Sequence, residues 1–315
     1  AETRNYSWGV CETGIMRALP QNNVVLSATL PTGMKTSSAA RTSRECWLAR
    51  LQLGYERTPL GTRLATRSHV GPLSVQKPLY PEGPDVCHSL ILHPPGGIAG
   101  NDLLEVDLGV GKSAHALVTM PGATKWYRTL HEPAMQRLHA RIADEAILEW
   151  LPPETIVFDR ATARMETSIE LDGGTYLGWE ILCLGRTHSG ERYDAGSIRQ
   201  LTTISSGGRL LWSERSHLHG GSRLLAATAG LRGHAVSAIF IAAGRRPDAG
   251  IVAQCRTVPL ELPARSGITA LPDVLVARYI GPSSEQAKSY FIALWRILRP
   301  HFAGREAITP RIWAT

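Results

Sequence analysis

Short stretches in which apolar and polar residues alternate recur along this chain, and they restrict its fold more than any other feature. In residues 104–110, Leu and Val alternate with Glu, Asp and Gly, and residues 161–171 keep a similar pattern. A period of two places every second side chain on the same face of a strand. From Trp47 onward such stretches return at intervals of roughly 8 to 12 residues, which is typical of a mainly β protein.

The same pattern predicts how some strands are connected. Residues 114–118 resume the alternation after the turn residues Gly and Lys at 111–112, so we expect a hairpin with residues 104–110. Further strands are expected at residues 224–227 and in the apolar stretch 236–242.

One segment near the end of the chain has a helical period instead. Apolar residues between 284 and 298 fall on one face, Ser283 or Ser284 is suited to cap the first turn, and Pro300 follows. We predict a helix near 284–298 that packs on the β body and that Pro300 stops.

The chain divides into two parts by composition. Residues 1–44 are rich in Ser, Thr and turn residues and lack sustained periodicity, so we predict a flexible N-terminal extension. Residues 45–315 are predicted to form one β-rich domain, since a single β unit of this size is common. No repeat of fixed period is visible in the sequence.

Composition and charge argue against several classes of function. The five cysteines are scattered without any C-x-x-C pair, which argues against a disulfide framework and a zinc site and favours the cytoplasm. No apolar run approaches the roughly 18 to 20 residues of a membrane span, and no signal peptide is recognisable. The net charge of +7 comes from dispersed arginines without interleaved aromatics, which argues against nucleic acid and leaves an acidic protein partner open.

A loop with a closely defined path lies between two of the predicted strands. The run Leu92-His93-Pro94-Pro95-Gly96-Gly97-Ile98-Ala99-Gly100-Asn101-Asp102 contains two prolines, which fix φ, and three glycines, which release it. Loops of this kind carry function more often than the elements that they connect.

Four acidic residues, Glu149, Glu154, Asp159 and Glu180, form a second candidate set. Glu149 and Glu180 interrupt apolar segments, so their carboxylates risk burial, which is costly unless a cation or a hydrogen bond compensates. One interpretation is a structural ion pair with Arg128, Arg164 or Arg186, or the solvated face of a strand. The other is an interior passage lined by carboxylates.

Histidines supply two further candidates for metal binding. His93 lies close in sequence to Cys87, His88 and Asp102, and such ligands suit nickel or copper, although a loop histidine can equally bond the backbone. The pair at residues 217 and 219 would place two imidazoles on one strand face, without a third ligand nearby.

Several motifs, taken in order from about Cys46 to the C terminus, resemble the UreD/UreH family of urease accessory proteins. The motifs are the loop given above, Met120-Pro121-Gly122-Ala123-Thr124-Lys125-Trp126-Tyr127-Arg128, Glu149-Trp150-Leu151-Pro152-Pro153-Glu154-Thr155-Ile156, Gly178-Trp179-Glu180-Ile181-Leu182-Cys183-Leu184-Gly185-Arg186 and the closing Pro310-Arg311-Ile312-Trp313-Ala314-Thr315.

The resemblance implies a fold of β-helical, solenoid-like stacked sheets with a small C-terminal helical portion. It also implies a scaffolding chaperone that is not an enzyme. Such a protein binds apo-urease, the F-type accessory protein and, through it, the nickel-carrying G-type GTPase. Nickel would pass transiently through a water-filled passage, and no cofactor would be tightly bound.

Carried onto this sequence, the resemblance assigns two sets of residues. Transient nickel contacts are expected from Glu149, Glu154, Asp159, Glu180 and His93. The residues expected to shape the passage or a partner surface are Pro94, Pro95, Gly96, Gly97, Gly100, Asp102, Lys125, Tyr127, Arg128 and Arg186.

An enzyme of a different class is the alternative hypothesis. No nucleophile elbow G-x-S-x-G occurs, but Glu149 and Glu180 on neighbouring strands would suit a β-solenoid hydrolase that uses paired carboxylates on a polar substrate.

Overall fold

Several strands lie where apolar and polar residues alternate, among them Asp102–Val110 and Thr162–Leu171. A computed structural model of the chain describes residues 46–314, and the extension predicted at 1–44 lies outside them. Residues 46–314 contain seventeen strands, β1 to β17 in chain order, most of which belong to two facing sheets. The prediction of a mainly β fold is confirmed.

Seven strands form the first sheet. They are β1 (Trp47–Thr58), β2 (Gly61–Val70), β5 (Asp102–Val110), β8 (Ala134–Ile142), β11 (Thr162–Leu171), β13 (Ser197–Ser206) and β14 (Arg209–His219). Their order in space is β14-β13-β11-β8-β5-β1-β2, so β14 and β2 are the edge strands.

The second sheet lies against the first. Its main path consists of β3 (Ser74–Val75), β4 (Val86–Leu92), β6 (His115–Thr119), β9 (Ile147–Trp150), β12 (Thr175–Leu184), β15 (Val236–Ala243), β17 (Val274–Gly281) and β16 (Arg265–Leu271). Two short strands, β7 (Thr124–Trp126) and β10 (Thr155–Val157), pair with each other, and β10 also pairs with the end of β12.

The centre of both sheets is a stack of solenoid coils. The chain alternates between the sheets from β4 to β13, and consecutive coils place parallel strands side by side. Leu103 lies beside Met135, and Thr162 lies beside Ser197, so successive coils differ in length. This difference explains why the solenoid leaves no fixed period in the sequence.

The predicted hairpin between residues 104–110 and 114–118 is wrong. β5 pairs with β1 and β8 in the first sheet, whereas β6 pairs with β4 and β9 in the second. All five residues of β6 are buried, so this strand has no solvated face and requires a sheet that is covered on both sides. The turn at Gly111 therefore carries the chain from one sheet to the other, and its N–H donates to the Tyr55 carbonyl at 2.8 Å.

Three α-helices accompany the sheets within the described residues. They are α1 (Arg223–Ala226), α2 (Ala249–Thr257) and α3 (Ser284–Ala303). One apolar core fills the space between the two sheets, and a second lies between the outer face of the second sheet and α2 and α3. The central strands of the second sheet are thus covered on both faces.

The predicted C-terminal helix is confirmed, but the prediction that Pro300 stops it is wrong. The Ser283 hydroxyl accepts the Gln286 N–H at 3.2 Å, which caps the first turn. The helix continues through Pro300 to Ala303, because a proline removes only one backbone hydrogen bond and Phe302 remains buried. Gly304, with a φ of 65°, ends it.

The two other predicted strands have different outcomes. Residues 236–242 lie within β15, as predicted. Residues 224–227 do not form a strand, since Arg223–Ala226 make a helical turn and Leu224 is exposed. No helix within residues 46–314 combines the length and apolar character that crossing a membrane requires.

Candidate functional site

The second sheet separates the two carboxylates that interrupt apolar segments. β9 and β12 are parallel, with Glu149 beside Leu177 and Trp150 beside Gly178. Side chains alternate along each strand, so Glu149 and Leu177 face α3. Glu180 lies two residues after Gly178 and faces the first sheet with Trp150. The structure does not bring Glu149 and Glu180 together.

Glu149 is fully buried and fully paired. Its Oε1 lies 2.6 Å from His115 Nε2, and its Oε2 accepts the Trp295 indole N–H at 2.6 Å. Arg299 donates from Nε to both oxygens, at 3.0 and 3.1 Å, and from Nη2 to Oε1 at 2.9 Å. These bonds join the centre of the second sheet to α3.

The ion pair continues on the other side of Arg299. Its Nη1 and Nη2 donate to the two oxygens of Glu82, at 2.7 and 2.8 Å, and Glu82 Oε1 lies 2.7 Å from His88 Nε2. Arg299 is 0 % exposed. The buried guanidinium therefore bridges two carboxylates, each of which also contacts a histidine. We call Glu82, His88, His115, Glu149 and Arg299 the buried ion cluster.

The partners of Glu149 determine its charge. Burial alone raises the pKa of this carboxyl group, but the hydrogen bond and charge of His115 and the contacts of Arg299 lower it to about 2. The pKa of Glu82 is lowered by His88 and Arg299 against the same effect of burial. Glu149 thus forms a structural ion pair, but its cation is Arg299 and none of the three arginines expected from the sequence.

Glu180 has a different environment. Its Oε1 accepts the Thr167 hydroxyl at 3.0 Å, and its Oε2 lies 3.4 Å from the Gln200 amide nitrogen. Burial and the nearby charge of Glu214 raise its pKa, while Thr167 opposes this shift. Within the described part of the chain, no cation forms an ion pair with Glu180.

Two neighbouring cavities lie between the sheets on the side that Glu180 faces. The smaller, of about 40 Å³, is lined by Glu180, Thr167 and Gln200 among others. The larger, of about 370 Å³, extends to the proline and glycine loop. Three residues line both cavities, namely Met120, Thr124 and Gln136. Only these side chains and their neighbours separate the region of Glu180 from that of the loop.

His93 lies at the loop end of this pair of cavities. Its Nε2 is buried and has no hydrogen-bond partner among residues 46–314, and the residue lines the larger cavity. Burial lowers the pKa of His93, and the charge of Asp102 opposes the shift. Asp102 in turn accepts the Ala99 N–H at 2.7 Å, and burial raises its pKa. The neutral imidazole is the form that can bind a metal.

The loop is held against β7 by backbone hydrogen bonds. The Ile98 N–H donates to the Lys125 carbonyl at 2.7 Å, and the Tyr127 N–H donates to the Ile98 carbonyl at 2.8 Å. Gly97 packs on the Tyr127 ring, where a Cβ would overlap with ring atoms. Four of the residues predicted to shape the passage line the larger cavity, namely Pro94, Gly96 and Gly97 of the loop and Lys125 of β7.

Other predicted residues lie on the surface beside this loop. The Arg186 guanidinium stacks 4.3 Å from the centre of the Phe158 ring, and the Phe158 and Tyr127 ring centres are 5.3 Å apart. Arg186 also donates from Nε to Glu191 Oε2 at 3.1 Å. Arg128 is exposed. Tyr127 and Arg186 thus belong to one aromatic and charged surface cluster.

Glu154 and Asp159 line neither of the two cavities within the described residues. Asp159 Oδ1 accepts the backbone N–H groups of Asp194 and Ala195, at 2.9 and 2.8 Å. The charge of Glu154 acts on Lys288, on the α3 side of the sheet. Residues 46–314 contain no group of three or more His, Cys, Asp or Glu side chains that could hold a metal ion.

Comparison with known proteins identifies the family. A family model described as UreD urease accessory protein matches residues 48–314. The chain belongs to the UreD family. The resemblance seen in the sequence motifs is confirmed by this match.

UreD family relatives are similar over nearly their whole length. Urease accessory protein UreD of Azoarcus sp. (strain BH72) is 46% identical over 270 residues, which are 85% of this chain and 94% of that protein. The UreD of Nitrosococcus oceani is 47% identical and covers 85% of this chain and 90% of its own length. The UreD of Methylobacillus flagellatus is 42% identical over 283 residues, with coverages of 90% and 99%.

Sequence reasoning missed several residues of this UreD family member. Gln136 and Gln200 face the space between the sheets, at positions where the alternation of their strands places apolar residues. A polar residue in the apolar phase of a strand was therefore an available signal. Arg299 gave no such signal, because an arginine near the end of a helix is ordinarily exposed.

Proposed function

We propose that this protein assists the insertion of nickel into urease and has no turnover of its own. In this proposal it acts in the cytoplasm, binds apo-urease and the F-type accessory protein, and through the latter meets the G-type GTPase. Membership of the UreD family supports the general role in urease maturation. The passage of nickel rests on one observation, namely the two cavities that share Met120, Thr124 and Gln136.

The donor groups along this path suit a divalent nickel ion in transit. His93 offers a buried imidazole nitrogen at one end, and Glu180 offers a carboxylate at the other. Nickel accepts nitrogen and oxygen ligands. Each end supplies a single strong ligand, so neither completes a coordination shell, and an ion that binds weakly can move on.

The raised pKa of Glu180 fits the same role. Burial without a paired cation favours the protonated carboxyl group, and an arriving cation would displace that proton. A bound cation would supply the charge compensation that burial otherwise denies this carboxylate. Glu149 is left out of this path, because Arg299 and His115 already occupy both of its oxygens.

The alternative hydrolase lacks geometric support. Paired carboxylates act from the two sides of one glycosidic bond, so they must face the same cleft. Glu149 faces α3 and Glu180 faces the first sheet, with the second sheet between them.

A larger side chain at Met120, one of the three residues that line both cavities, should block the passage and so tests it. We expect Met120→Trp to lower the nickel content of urease matured in a host that supplies the other accessory proteins, while its complex with urease persists. Met135→Trp is the matched control, since Met135 lies on the outward face of β8. The readouts are nickel per purified urease and copurification of the two proteins.

Normal nickel loading by a folded Met120→Trp protein would rule out this path. If the wild-type protein does not copurify with urease, binding to urease is refuted. That result would not bear on the path through the cavities. Near-ultraviolet circular dichroism of both tryptophan variants establishes that they are folded.

A further inference from the structure

Two exposed histidines lie side by side on β14, an edge strand of the first sheet. Leu218 points into the core between the sheets, so His217 and His219 stand on the opposite face of the strand, which points away from the cavities. Their ring centres are 4.0 Å apart, and the ring planes meet at 49°. The strand thus presents two imidazole groups to solvent at one point of the surface.

The distance between the two rings suits a shared metal ion. A divalent transition-metal ion lies about 2.1 Å from an imidazole nitrogen, and therefore roughly 3.2 Å from the centre of that ring. One ion can contact two rings whose centres are less than about 6.4 Å apart. The backbone of β14 already holds His217 and His219 within this distance. Because both side chains are exposed, their rotation can turn a nitrogen of each ring toward the ion.

Both imidazoles can offer a lone pair to an ion. Among residues 46–314 the His219 ring has no hydrogen-bond partner, and Arg199 Nε donates to His217 Nε2 at 3.4 Å, which is long for such a bond. An ion at His217 would displace this weak, exposed bond. Burial, His219 and Arg199 lower the pKa of His217, in that order, and the neutral imidazole is the form that binds metals.

We propose that His217 and His219 together bind one divalent transition-metal ion, such as Ni²⁺ or Cu²⁺, with water in the remaining coordination positions. Imidazole nitrogen is a common ligand of these ions, whereas Mg²⁺ and Ca²⁺ take oxygen ligands. The inference goes beyond the proposed passage and does not depend on it, because neither histidine lines the two cavities.

The surroundings of the pair limit its affinity. Arg199 lies directly beside His217, and Arg215 lies two residues before His217 on the same face of β14. Their positive charges oppose the approach of a cation, although both side chains are exposed and salt screens the repulsion. Two neutral ligands beside these charges predict an exchangeable site. Cu²⁺ should bind there more tightly than Ni²⁺, and Mg²⁺ should not compete.

Calorimetric titration of Ni²⁺ into the full chain, prepared free of metal and without a histidine tag, tests the proposal. We expect His217→Ala and His219→Ala each to weaken binding at this site by about tenfold or more, because loss of either ring ends the chelation. The matched control is His69→Ala, which removes an exposed histidine from the other edge strand, β2. It should change the affinity by less than about twofold, since a single imidazole does not chelate.

Electron paramagnetic resonance of bound Cu²⁺ identifies the ligands directly. We expect nitrogen couplings from both imidazoles in wild type and from one imidazole in each of the two variants. This measurement separates the site on β14 from any Ni²⁺ that binds near Glu180 between the sheets.

Three outcomes would overturn the proposal. The first is the same Ni²⁺ affinity and stoichiometry in wild type, His217→Ala and His219→Ala, which would make the contact between the rings one of packing alone. The second is weakening by only about twofold in each variant, which would show two independent imidazoles. The third is an equally large loss of affinity in His69→Ala.

Discussion

Glu149 and Glu180 lie on opposite faces of the same sheet and have similar neighbours in sequence, yet their environments differ in kind. Glu149 contacts a buried arginine, a histidine and an indole N–H. Among the described residues, the hydrogen-bond partners of Glu180 are a hydroxyl and an amide, and Glu180 lines a cavity. The pKa is lowered for the first carboxyl group and raised for the second.

The difference shows that an apolar sequence context does not by itself define a functional carboxylate. On the α3 side, the cation that neutralises Glu149 comes from a residue far along the chain, Arg299. On the side of the first sheet, the partners of Glu180 are uncharged, and space remains beside it. A buried acid whose cation is in place depends on that cation, because removing it leaves an uncompensated charge, whereas an acid without a cation can still accept a metal ion.

The largest expected effect comes from breaking the buried ion cluster. Arg299→Ala would leave Glu82 and Glu149 buried without their cation, and we expect it to lower the free energy of unfolding by about 3–5 kcal/mol. Urea denaturation monitored by circular dichroism measures this change. Arg296→Ala is the control on the same helix, because Arg296 is exposed, and it should cost less than about 1 kcal/mol. Equal effects of the two substitutions would contradict the role of the cluster.

The two carboxyl groups should also respond to pH in opposite directions. The pKa of Glu149 in the folded protein is about 2, so its stabilisation is present above pH of about 5 and is lost as the pH falls toward 2. The stability advantage of wild type over Glu149→Gln should therefore shrink with acidification.

For Glu180 the sign is reversed. Because its pKa is raised in the folded protein, its burial penalty is present at neutral pH and is relieved as the pH falls through that pKa. The free energy of unfolding of Glu180→Gln should be higher than that of wild type at neutral pH, and this difference should disappear in acid. Urea denaturation of all three proteins across the pH range measures both trends, and parallel profiles for the two variants would contradict the comparison.

A smaller effect is expected at the loop that borders the larger cavity. Gly97→Ala would force a Cβ against the Tyr127 ring, and we expect a loss of about 1–3 kcal/mol in the free energy of unfolding. Gly122→Ala is the matched control, since it lines the same cavity and has open space for a Cβ. Similar melting temperatures for the two variants would show that the Tyr127 contact does not hold the loop.

The smallest effect on stability is expected at Glu180 itself. Glu180→Gln keeps an oxygen for the Thr167 hydroxyl and removes a half-buried acid that no described cation compensates. The free energy of unfolding at neutral pH should rise, as the raised pKa of Glu180 requires, by less than about 1 kcal/mol. A loss as large as that of Arg299→Ala would show that Glu180 is as structural as Glu149.

The sequence predicts the local structure better than it predicts partners across space. The alternation in residues 161–171 places β11, and the spacing of Ala287, Tyr290, Phe291 and Leu294 identifies the buried face of α3. The mistaken hairpin at Gly111 arose because alternation does not reveal which sheet a strand joins. The pairing of Glu149 with Arg299 could not be predicted, since it spans the chain from β9 to α3 and no local pattern marks it.

The nickel content of urease matured with variants of Glu180 tests the central distinction most directly. Glu180→Gln should leave the complex with urease intact and yield urease with clearly less nickel than wild type. Glu180→Asp, which keeps a carboxylate, should restore part of the loading, and Glu170→Gln on the outward face of β11 should have no effect. Full nickel loading by a folded Glu180→Gln protein would contradict the account, because the Glu180 carboxylate between the sheets would then serve no ion in transit.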